Sequence, residues 1–498
     1  MTAPTGKRRS NNKPNKYNPP NFIITSLAAV TLLFSAACGE SPQPTPDPGS
    51  NTNPTRAQSL PTNAARPTRP NSQTSLVGEL DPTFGDGGKV TNDFGSDTEE
   101  IRDIAVRPDG KIVVLGETWP KQLPRFTLAR YNPDGTLDED FGDGGLVVTE
   151  TTDQDYNRGT PHALLLQPDG KIVVGGGSTS PDYNHGVFAV MRYNEDGTLD
   201  EEFGHAGRVT TALNEAVRSS SADELHALAL QPDGKIVAAG ITGEFPPDMG
   251  VARFNPDGTL DDDFGDGGKV VLDIDGSDDG AYAVAVQEDG KIVVGGYASS
   301  EGGVEFKDFA LVRLNEDGTP DEEFGDAGKV RTELGIDQED AAHAIVVHPD
   351  GKITLAGPSV VGPQQCTTQV GICWRFGYGL AQYYADGTLD DDFGNDGIVT
   401  RDLLYSAANY ALVRLPDGKL ATGGYVSRAD FALALFNPDG TQVESFGDKG
   451  VARTAFGTYS DYAYALALQP DGKLLLAGTA VVDPDDILNG DFAIARYR

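Results

Sequence analysis

One position in each of seven internal repeats carries a polar or aromatic side chain that could do chemistry. It stands six residues before the first position of a recurring P-D-G-K turn, at the start of an apolar run. Imidazole, phenol and guanidinium groups offer hydrogen-bond donors, proton acceptors and stacking surfaces. We therefore take these residues as candidate ligand-binding residues, and they are Arg102, His162, His226, Tyr282, His343, Tyr410 and Tyr464.

Five of the repeats also carry an acid three residues before this position, and these acids are Glu99, Asp223, Asp279, Asp340 and Asp461. If the repeats close into a ring, both sets of side chains would line its mouth, where they could bind a polar ligand or act in acid–base chemistry. A purely structural interpretation competes with this one. Repeat symmetry by itself places one half-buried amphipathic side chain in every unit.

The repeats that position these side chains predict an all-β fold. Seven P-D-G-K-like turns mark units of about 60 residues, with Asp at positions 109, 169, 233, 289, 350, 417 and 471. Each unit contains four strand-like runs, for example Gly268–Leu272, Ala281–Val286, Lys291–Val294 and Phe309–Leu314. Four antiparallel strands make one blade, so the sequence predicts a seven-bladed β-propeller over residues 76–498. A β-helical solenoid is the alternative, but its repeats are far shorter.

The strand-like runs can be grouped into blades in two ways. In the grouping given above, seven whole units fit the chain. In a shifted grouping, the segment Leu80–Val90 would complete a shared blade with the terminal strand Asp491–Arg498. The sequence leaves open which strand is innermost.

Turn chemistry explains the recurring Asp-Gly pairs without a ligand. In P-D-G, Pro presets the first turn residue and Gly takes the left-handed position. A second Asp-Gly turn begins a connector that runs from Asn132 to Phe141. We expect Thr136 to cap one helical turn that places Leu137 and Phe141 on one face, as an apolar clasp between blades.

Three motifs carry a resemblance to a known family. They are L-D-x-x-F-G-D-G-G-K-V, A-V-Q-x-D-G-K-I-V-V-G-G and F-A-L-V-R-L-N-x-D-G-T. Together they resemble the bacterial delta-60 repeat family over residues 80–498. The resemblance implies a β-propeller in an exported bacterial protein. It implies no activity, so no catalytic residue is carried over.

The loops that vary in length fall on one face of the predicted propeller, opposite the Asp-Gly turns. This variable-loop face includes the insertion Pro358–Phe376, and binding residues tend to lie on such loops. Trp119 and Trp374 lie in these loops and join the candidate ligand-binding set, with local packing as the alternative. Cys366 and Cys373 flank six residues of the insertion and could form a disulfide in an oxidising compartment.

The N-terminus predicts export. Residues 1–37 contain five Lys and Arg residues and an apolar run, Phe22–Ala37, which is typical of a signal peptide and short for a membrane span. The last residues before Cys38 resemble a lipobox, so we expect lipidation of Cys38, with simple cleavage as the alternative. Residues 38–75 are rich in Pro, Ser, Thr and Asn and are expected to form a disordered tether. We expect a membrane-anchored lipoprotein in the periplasm or on the cell surface, or else a secreted protein.

The charge of the chain limits its partners. A formal net charge of −36 argues against nucleic acid, whose phosphates would be repelled, and against docking of the domain surface on anionic lipid. We expect membrane contact through the lipid anchor alone. The expected partner of a monomeric domain is a protein or a glycan.

Motifs for established catalytic sites are missing from the sequence. It contains no H-E-x-x-H, no G-x-S-x-G and no phosphate-binding loop. The N-x-D-G-x-x-D turns, as at Asn132, Asp134 and Asp138, superficially resemble calcium loops, but hairpin turns explain them. We therefore expect no cofactor, with calcium as the alternative. Arginines recur on the last strand of the unit and are expected to pair with connector carboxylates between blades; they are Arg130, Arg192, Arg253, Arg313 and Arg496.

Together these features predict a binding or interaction module that acts through its variable-loop face, with an unknown ligand. The alternative is a carbohydrate-active enzyme, a lyase or hydrolase, that uses the His/Tyr ring at the propeller mouth.

Overall fold

The computed structural model describes residues 76–498 except for 97, 120–123, 150–158, 180–184, 215–222, 245, 275, 277, 300–305, 336–339, 366–371, 403–406, 427–429, 458 and 483–488. Between residues 363 and 375 only the strand backbone is described. The predicted signal peptide, the tether, Cys38 and Cys366 lie outside the described residues, so those statements stay predictions. Within the described part of the chain, no helix has the length and apolar character needed to cross a membrane.

The described residues form seven antiparallel sheets of four strands each, which confirms the predicted seven-bladed β-propeller. Blades 1 to 6 are β2–β5, β6–β9, β10–β13, β14–β17, β18–β21 and β22–β25, and blade 7 contains β26–β28 and β1. The strands are β1 Lys89–Asn92, β2 Glu99–Val106, β3 Ile112–Thr118, β4 Arg125–Tyr131, β5 Leu146–Val148, β6 Thr160–Leu166, β7 Ile172–Thr179, β8 Gly186–Tyr193, β9 Arg208–Thr211, β10 Glu224–Leu230, β11 Ile236–Thr242, β12 Asp248–Phe254, β13 Lys269–Leu272, β14 Asp279–Val286, β15 Ile292–Ser299, β16 Lys307–Leu314, β17 Lys329–Thr332, β18 Ala344–Val347, β19 Ile353–Gln365, β20 Ile372–Tyr383, β21 Ile398–Arg401, β22 Ala408–Arg414, β23 Leu420–Val426, β24 Asp430–Phe436, β25 Val451–Thr454, β26 Asp461–Leu468, β27 Leu474–Ala480 and β28 Asp491–Tyr497.

The shifted grouping of strands is the observed one. The run at 269–272 pairs with β12, which precedes it, so our first grouping, which joined it to the following strands, is wrong. Consequently, the N-terminal strand β1 completes blade 7, with Lys89 opposite Ala495. The first strand of each sheet, such as β2 or β6, lies beside its counterparts in the neighbouring blades and is therefore the innermost.

Apolar side chains fill the space between neighbouring blades. Val251 of blade 3, for example, belongs to one buried cluster with Val284 and Ile292 of blade 4. Small residues such as Ala281 and Ala283 occupy the inner strand, where the blades converge. The core is therefore a ring of seven inter-blade layers, and no blade buries its faces alone.

The connector contains no helical turn, contrary to our expectation. Leu137 instead forms a β-bridge with Tyr131, and Phe141 N donates to Asp138 O at 3.0 Å in a tight turn. Thr136 donates from its N and Oγ1 to Asp134 Oδ1, because the short Asp side chain can close the turn on itself. Phe141 is nevertheless fully buried, so the apolar contact that we expected from the connector exists without the helix.

The recurring arginine joins the connector to the next blade. Arg130 Nε donates to Asp138, which also accepts from Lys111 Nζ at 2.8 Å. Burial acts to raise the pKa of Asp138, but these two cations lower it below its usual value. Arg130 Nη1 donates to the carbonyl of Glu195 in blade 2, and the guanidinium covers the Phe141 ring at 4.5 Å. Arg192, Arg253 and Arg313 make the same contacts. Arg496 donates to Pro133 O in the same way but reaches Asp81 through Nη2, at 3.0 Å.

Candidate binding site at the propeller axis

A β-bulge turns the candidate residue of the inner strand toward the axis. In six blades the pairing register between the two inner strands shifts at that residue, as at His226, which is skipped between Leu225 and Ala227. A bulge leaves one residue unpaired and re-aims its side chain. The six bulged positions are Arg102, His162, His226, Tyr282, Tyr410 and Tyr464. In blade 5, His343 stands directly before the strand and donates its N–H to Ala356 O.

A glycine on the second strand makes each bulge possible. A Cβ at Gly296 would lie 1.9 Å from Gly280 O, and a Cβ at Gly424 would lie 1.9 Å from Ala408 O. Real Cβ atoms do not approach a carbonyl this closely, so only Gly fits there. The glycine of the second strand therefore has a specific role beside the bulge.

The seven side chains meet in one ring around the axis. His162 lies 4.7 Å from His226, which lies 5.1 Å from Tyr282, between ring centroids. Tyr282 stacks on His343 at 4.5 Å with an interplanar angle of 5°. The circuit continues from His343 to Tyr410 at 5.0 Å and from Tyr410 to Tyr464 at 5.9 Å, and Arg102 lies 5.4 Å from the Tyr464 ring. The structure thus brings together all seven predicted residues, and their role in ligand binding stays a prediction.

The ring is a packed layer and not an open channel lining. All seven side chains are buried, with Tyr410 the most exposed at 9% and His226 fully buried. Burial disfavours the charged imidazolium, so it lowers the pKa of His226 and of His343 to about 3. Both imidazoles are therefore neutral at physiological pH, and the ring forms the floor of the mouth on the variable-loop face.

One half of the mouth is charged. Arg102 pairs with Glu117 of the second strand and, at 2.7 Å, with Glu100 of its own strand. Burial raises the pKa of Glu100, against the pull of the Arg102 guanidinium. Beside this group, His162 Nε2 is hydrogen-bonded to Glu224 Oε1 at 2.8 Å, and the Glu224 side chain is 37% exposed. Glu100, Glu117 and Glu224 were missed by sequence reasoning, although Glu100 and Glu224 share one repeat position two residues before the ring residue.

The other half of the mouth is aromatic. Tyr425 packs against Tyr410 of the ring at 5.9 Å and against Tyr462 at 5.0 Å, edge to face. Tyr297 packs against Tyr282 at 5.4 Å, and its ring fills the space where a Cβ at Gly280 would stand. Tyr425 and Tyr462 are only half-buried, so they offer hydroxyl groups and ring faces to a ligand. Tyr297 and Tyr425 stand opposite a small residue of the inner strand, Gly280 and Ala408 respectively, and these small residues were their signal in the sequence.

The acids three residues before the ring do not line the mouth as we expected. They are buried and accept hydrogen bonds from the loop that enters the inner strand. Glu99 accepts from Phe94 N at 2.9 Å, and Asp223 accepts from Leu213 N at 2.8 Å. Asp461 accepts from Phe456 N at 2.7 Å. A carboxylate that satisfies main-chain donors fixes the loop, so Glu99, Asp223 and Asp461 each hold the loop before their strand.

The remaining candidates are separate from the ring. Trp119 is half-buried just after β3, and its main-chain N–H donates to Thr98 O at 3.0 Å. The insertion Pro358–Phe376 is mostly a long β-hairpin of β19 and β20, where we expected a loop, and Trp374 pairs with Pro363 in it. The side chains of Trp374 and Cys373 and all of Cys366 lie outside the described residues, so the aromatic contact and the disulfide stay predictions.

The oxygens of the predicted calcium-like turns are occupied by protein donors. Asp134 Oδ1 accepts from Thr136, and Asp138 pairs with Arg130 and Lys111. Asn132 donates its side-chain N–H to Thr136 Oγ1 at 3.0 Å. These hydrogen bonds are of the kind that hairpin turns make, and the expectation that no cofactor binds there stays a prediction.

Comparisons with known proteins support the fold class. Five stretches of the chain match a family model described as "Domain of unknown function (DUF5122) beta-propeller", and they are residues 107–141, 167–203, 231–264, 287–324 and 415–446. These matches support a β-propeller repeat family, while the delta-60 name stays a resemblance. No curated protein matches the chain.

Several solved structures resemble the chain at low identity. A catalytically inactive virginiamycin B lyase from Staphylococcus aureus with quinupristin is 11% identical with a TM-score of 0.43, covering 82% of this chain and 98% of that one. The polysaccharide lyase Uly1 is 12% identical with a TM-score of 0.44, covering 86% and 94%. The GH93 α-L-arabinofuranosidase of Fusarium graminearum with arabinobiose is 9% identical with a TM-score of 0.41, covering 83% and 98%. No conclusion about this chain follows from likenesses at this level.

Proposed function

We propose that the protein is a binding module that recognises a polar ligand, such as a glycan, at the mouth on its variable-loop face. The observation that carries the proposal is the division of this mouth into a half with carboxylates around Arg102 and a half with the tyrosines Tyr425 and Tyr462. Sugars are bound by carboxylate and guanidinium groups that reach their hydroxyls and by aromatic faces that stack on their rings. The proposal includes export, with an anchor on lipidated Cys38.

The enzyme alternative has less support. A general acid or base must reach the reacting atom of a substrate, and the imidazoles of His226 and His343 are buried beneath their neighbours. Among the described residues, Glu224 beside His162 is the most exposed acid in contact with the ring, whereas the side chain of Glu100 is 16% exposed and paired with Arg102. One well-exposed acid does not make a catalytic pair. Binding therefore uses the mouth as it stands, whereas catalysis requires the ring to open.

The test is glycan-array binding by the purified protein, followed by affinity measurements on the variants Tyr462→Ala and Glu224→Gln. Each residue is half-buried or partly exposed, so we expect each variant to keep the melting temperature and to lose at least about tenfold in affinity. The matched controls are Tyr384→Ala and Glu316→Gln, on the turns of the opposite face, and they should bind normally. Affinity that is unchanged in both mouth variants, or lost equally in the controls, would refute the proposal.

A further inference from the structure

Three carboxylates converge between blades 3 and 4, away from the ring. They belong to Asp248 at the start of β12, Asp273 just after β13 and Asp279 at the start of β14. One oxygen from each lies within 4.8 Å of the others. The main chain holds the group together, since Asp279 N donates to Pro247 O at 2.8 Å across the blade boundary.

Asp279 carries the observation that points to a ligand. Its side chain is fully buried, and Oδ2 accepts from Ile274 N. Its Oδ1 is buried as well and has no hydrogen-bond partner among the described residues. A buried carboxylate oxygen without a donor is costly, so it requires a proton or a cation.

At the boundary between blades 4 and 5, a protein side chain supplies a positive charge beside the equivalent acids. There Asp340 and Asp308 take the places of Asp279 and Asp248, and Asp340 N donates to Lys307 O at 2.8 Å. Asp308 pairs with Arg331 Nε at 3.1 Å, and Asp340 accepts from Val360 N at 2.9 Å. The counterpart of Arg331 beside Asp248 is Val271. Blade 3 therefore lacks the arginine, whereas both blades carry an acid just after the outer strand, Asp273 in blade 3 and Glu333 in blade 4.

The nearby lysines do not neutralise the three carboxylate groups in the described structure. Lys329 Nζ donates to the main-chain carbonyl of Asp273 at 2.6 Å. Lys307 Nζ lies 3.7 Å from Asp278 Oδ2, whose other oxygen accepts from Tyr297 at 2.9 Å. Neither lysine therefore pairs with a carboxylate group of Asp248, Asp273 or Asp279 in the described part of the chain.

We propose that Asp248, Asp273 and Asp279 form a calcium site that joins blade 3 to blade 4. Calcium binds hard oxygen ligands at about 2.3–2.6 Å, so two ligand oxygens of one ion lie at most about 4.6–5.2 Å apart, which the observed spacing satisfies. The exposed position of Asp273 leaves room for water to complete the coordination. The ion would compensate the buried Oδ1 of Asp279 and tie two blades together beside the variable-loop face.

The test is isothermal titration of the full-length, chelator-treated protein with calcium chloride, together with thermal melts in calcium and in chelator. We expect one equivalent of calcium to bind, with a dissociation constant at or below about 1 mM, the range of extracellular modules, and to raise the melting temperature. Asp248→Asn and Asp279→Asn keep the shape of the side chain and should each weaken binding at least about tenfold. The matched control Asp308→Asn, at the arginine-paired position, should bind like the wild type.

Several outcomes would overturn this proposal. They are an absence of saturable binding up to about 10 mM calcium, or binding that survives in both the Asp248→Asn and Asp279→Asn proteins. If Asp308→Asn lost as much calcium affinity as the two cluster variants, the loss would not be specific to the cluster of Asp248, Asp273 and Asp279. Tighter binding of magnesium than of calcium would contradict the assignment of the ion. If a variant fails to fold, terbium luminescence sensitised by the adjacent Tyr297 in the wild-type protein, and its displacement by calcium, gives an independent readout.

Discussion

His226 is a fully buried imidazole whose two ring nitrogens have no hydrogen-bond partner among the described residues. It packs instead between His162 and Tyr282. The imidazole of His226 therefore packs as a flat aromatic group. Protonation of this imidazole would place an unpaired charge in the core. The cost of that charge appears as a dependence of stability on pH.

We predict that the protein loses stability as the pH falls below 6.5 and that His226 contributes to the loss. Burial lowers the pKa of His226 to about 3 in the folded protein, from the ordinary value of 6.5 that applies to an exposed His in the unfolded chain. Between these values the unfolded chain binds more protons, so the stabilisation is complete above pH 6.5 and is lost toward pH 3, by up to about 1.4 kcal/mol per pH unit. His226→Phe should reduce this slope in urea unfolding measured from pH 7 to pH 4.5.

The control is His205→Gln, because His205 is exposed. Its slope should equal that of the wild type. Identical slopes for His226→Phe and the wild type would show that His226 is not the titrating group. His343 is present in the wild type and in both variants, and its lowered pKa makes stability depend on pH in the same way in all three proteins.

At the scale of single elements, the Arg–Asp pair of the connector is the recurring link between blades. Arg313 Nε donates to Asp321 at 2.6 Å, and its Nη1 donates to Ala385 O in the next blade. Blade 6 has Leu435 and Val443 at these two positions, and Val443 N donates to Leu435 O at 2.8 Å just as Asp321 N donates to Arg313 O. The backbone of the connector therefore does not require the ion pair.

We predict that Arg313→Leu destabilises the protein by about 3 kcal/mol, because removal of one partner leaves Asp321 buried with Lys291 as its only cation among the described residues. The double variant Arg313→Leu with Asp321→Val copies blade 6 and should recover more than half of this loss. The measurement is the urea midpoint of both variants. A double variant that is less stable than the single one would contradict this account.

At the scale of the whole molecule, the N-terminal segment closes the ring. β1 pairs with β28, Val77 N donates to Arg498 O at 3.0 Å, and Gly85 N donates to Asp134 O at 2.8 Å. Gly142 N donates to Asp196 O at 2.9 Å between blades 1 and 2, so the closure repeats a link that also occurs inside the array. Closure also covers β28, which would otherwise be an exposed edge.

We predict that a chain without residues 76–92 is destabilised by at least about 3–5 kcal/mol, the cost of removing the buried Phe84 side chain alone. Its uncovered edge should cause association, seen by size-exclusion chromatography with light scattering. A synthetic peptide of residues 76–96 should restore the monomer and the melting temperature, and a scrambled peptide should not. A truncated chain that stays monomeric with an unchanged melting temperature would show that β1 does not close the ring.

The sequence by itself determined the blade count, the all-β class and the residues of the central ring, because hairpin turns and strand periodicity are local and recur about every 60 residues. The grouping of strands was decided only by tertiary structure. Lys89 near the start of the propeller sequence pairs with Ala495 near its end, and no local pattern specifies such a pairing. Local patterns also cannot reveal the bulge that buries His226 or the loop contacts that occupy Glu99. The convergence of Asp248 with Asp273 and Asp279 depends in the same way on how two blades pack, which no single repeat encodes.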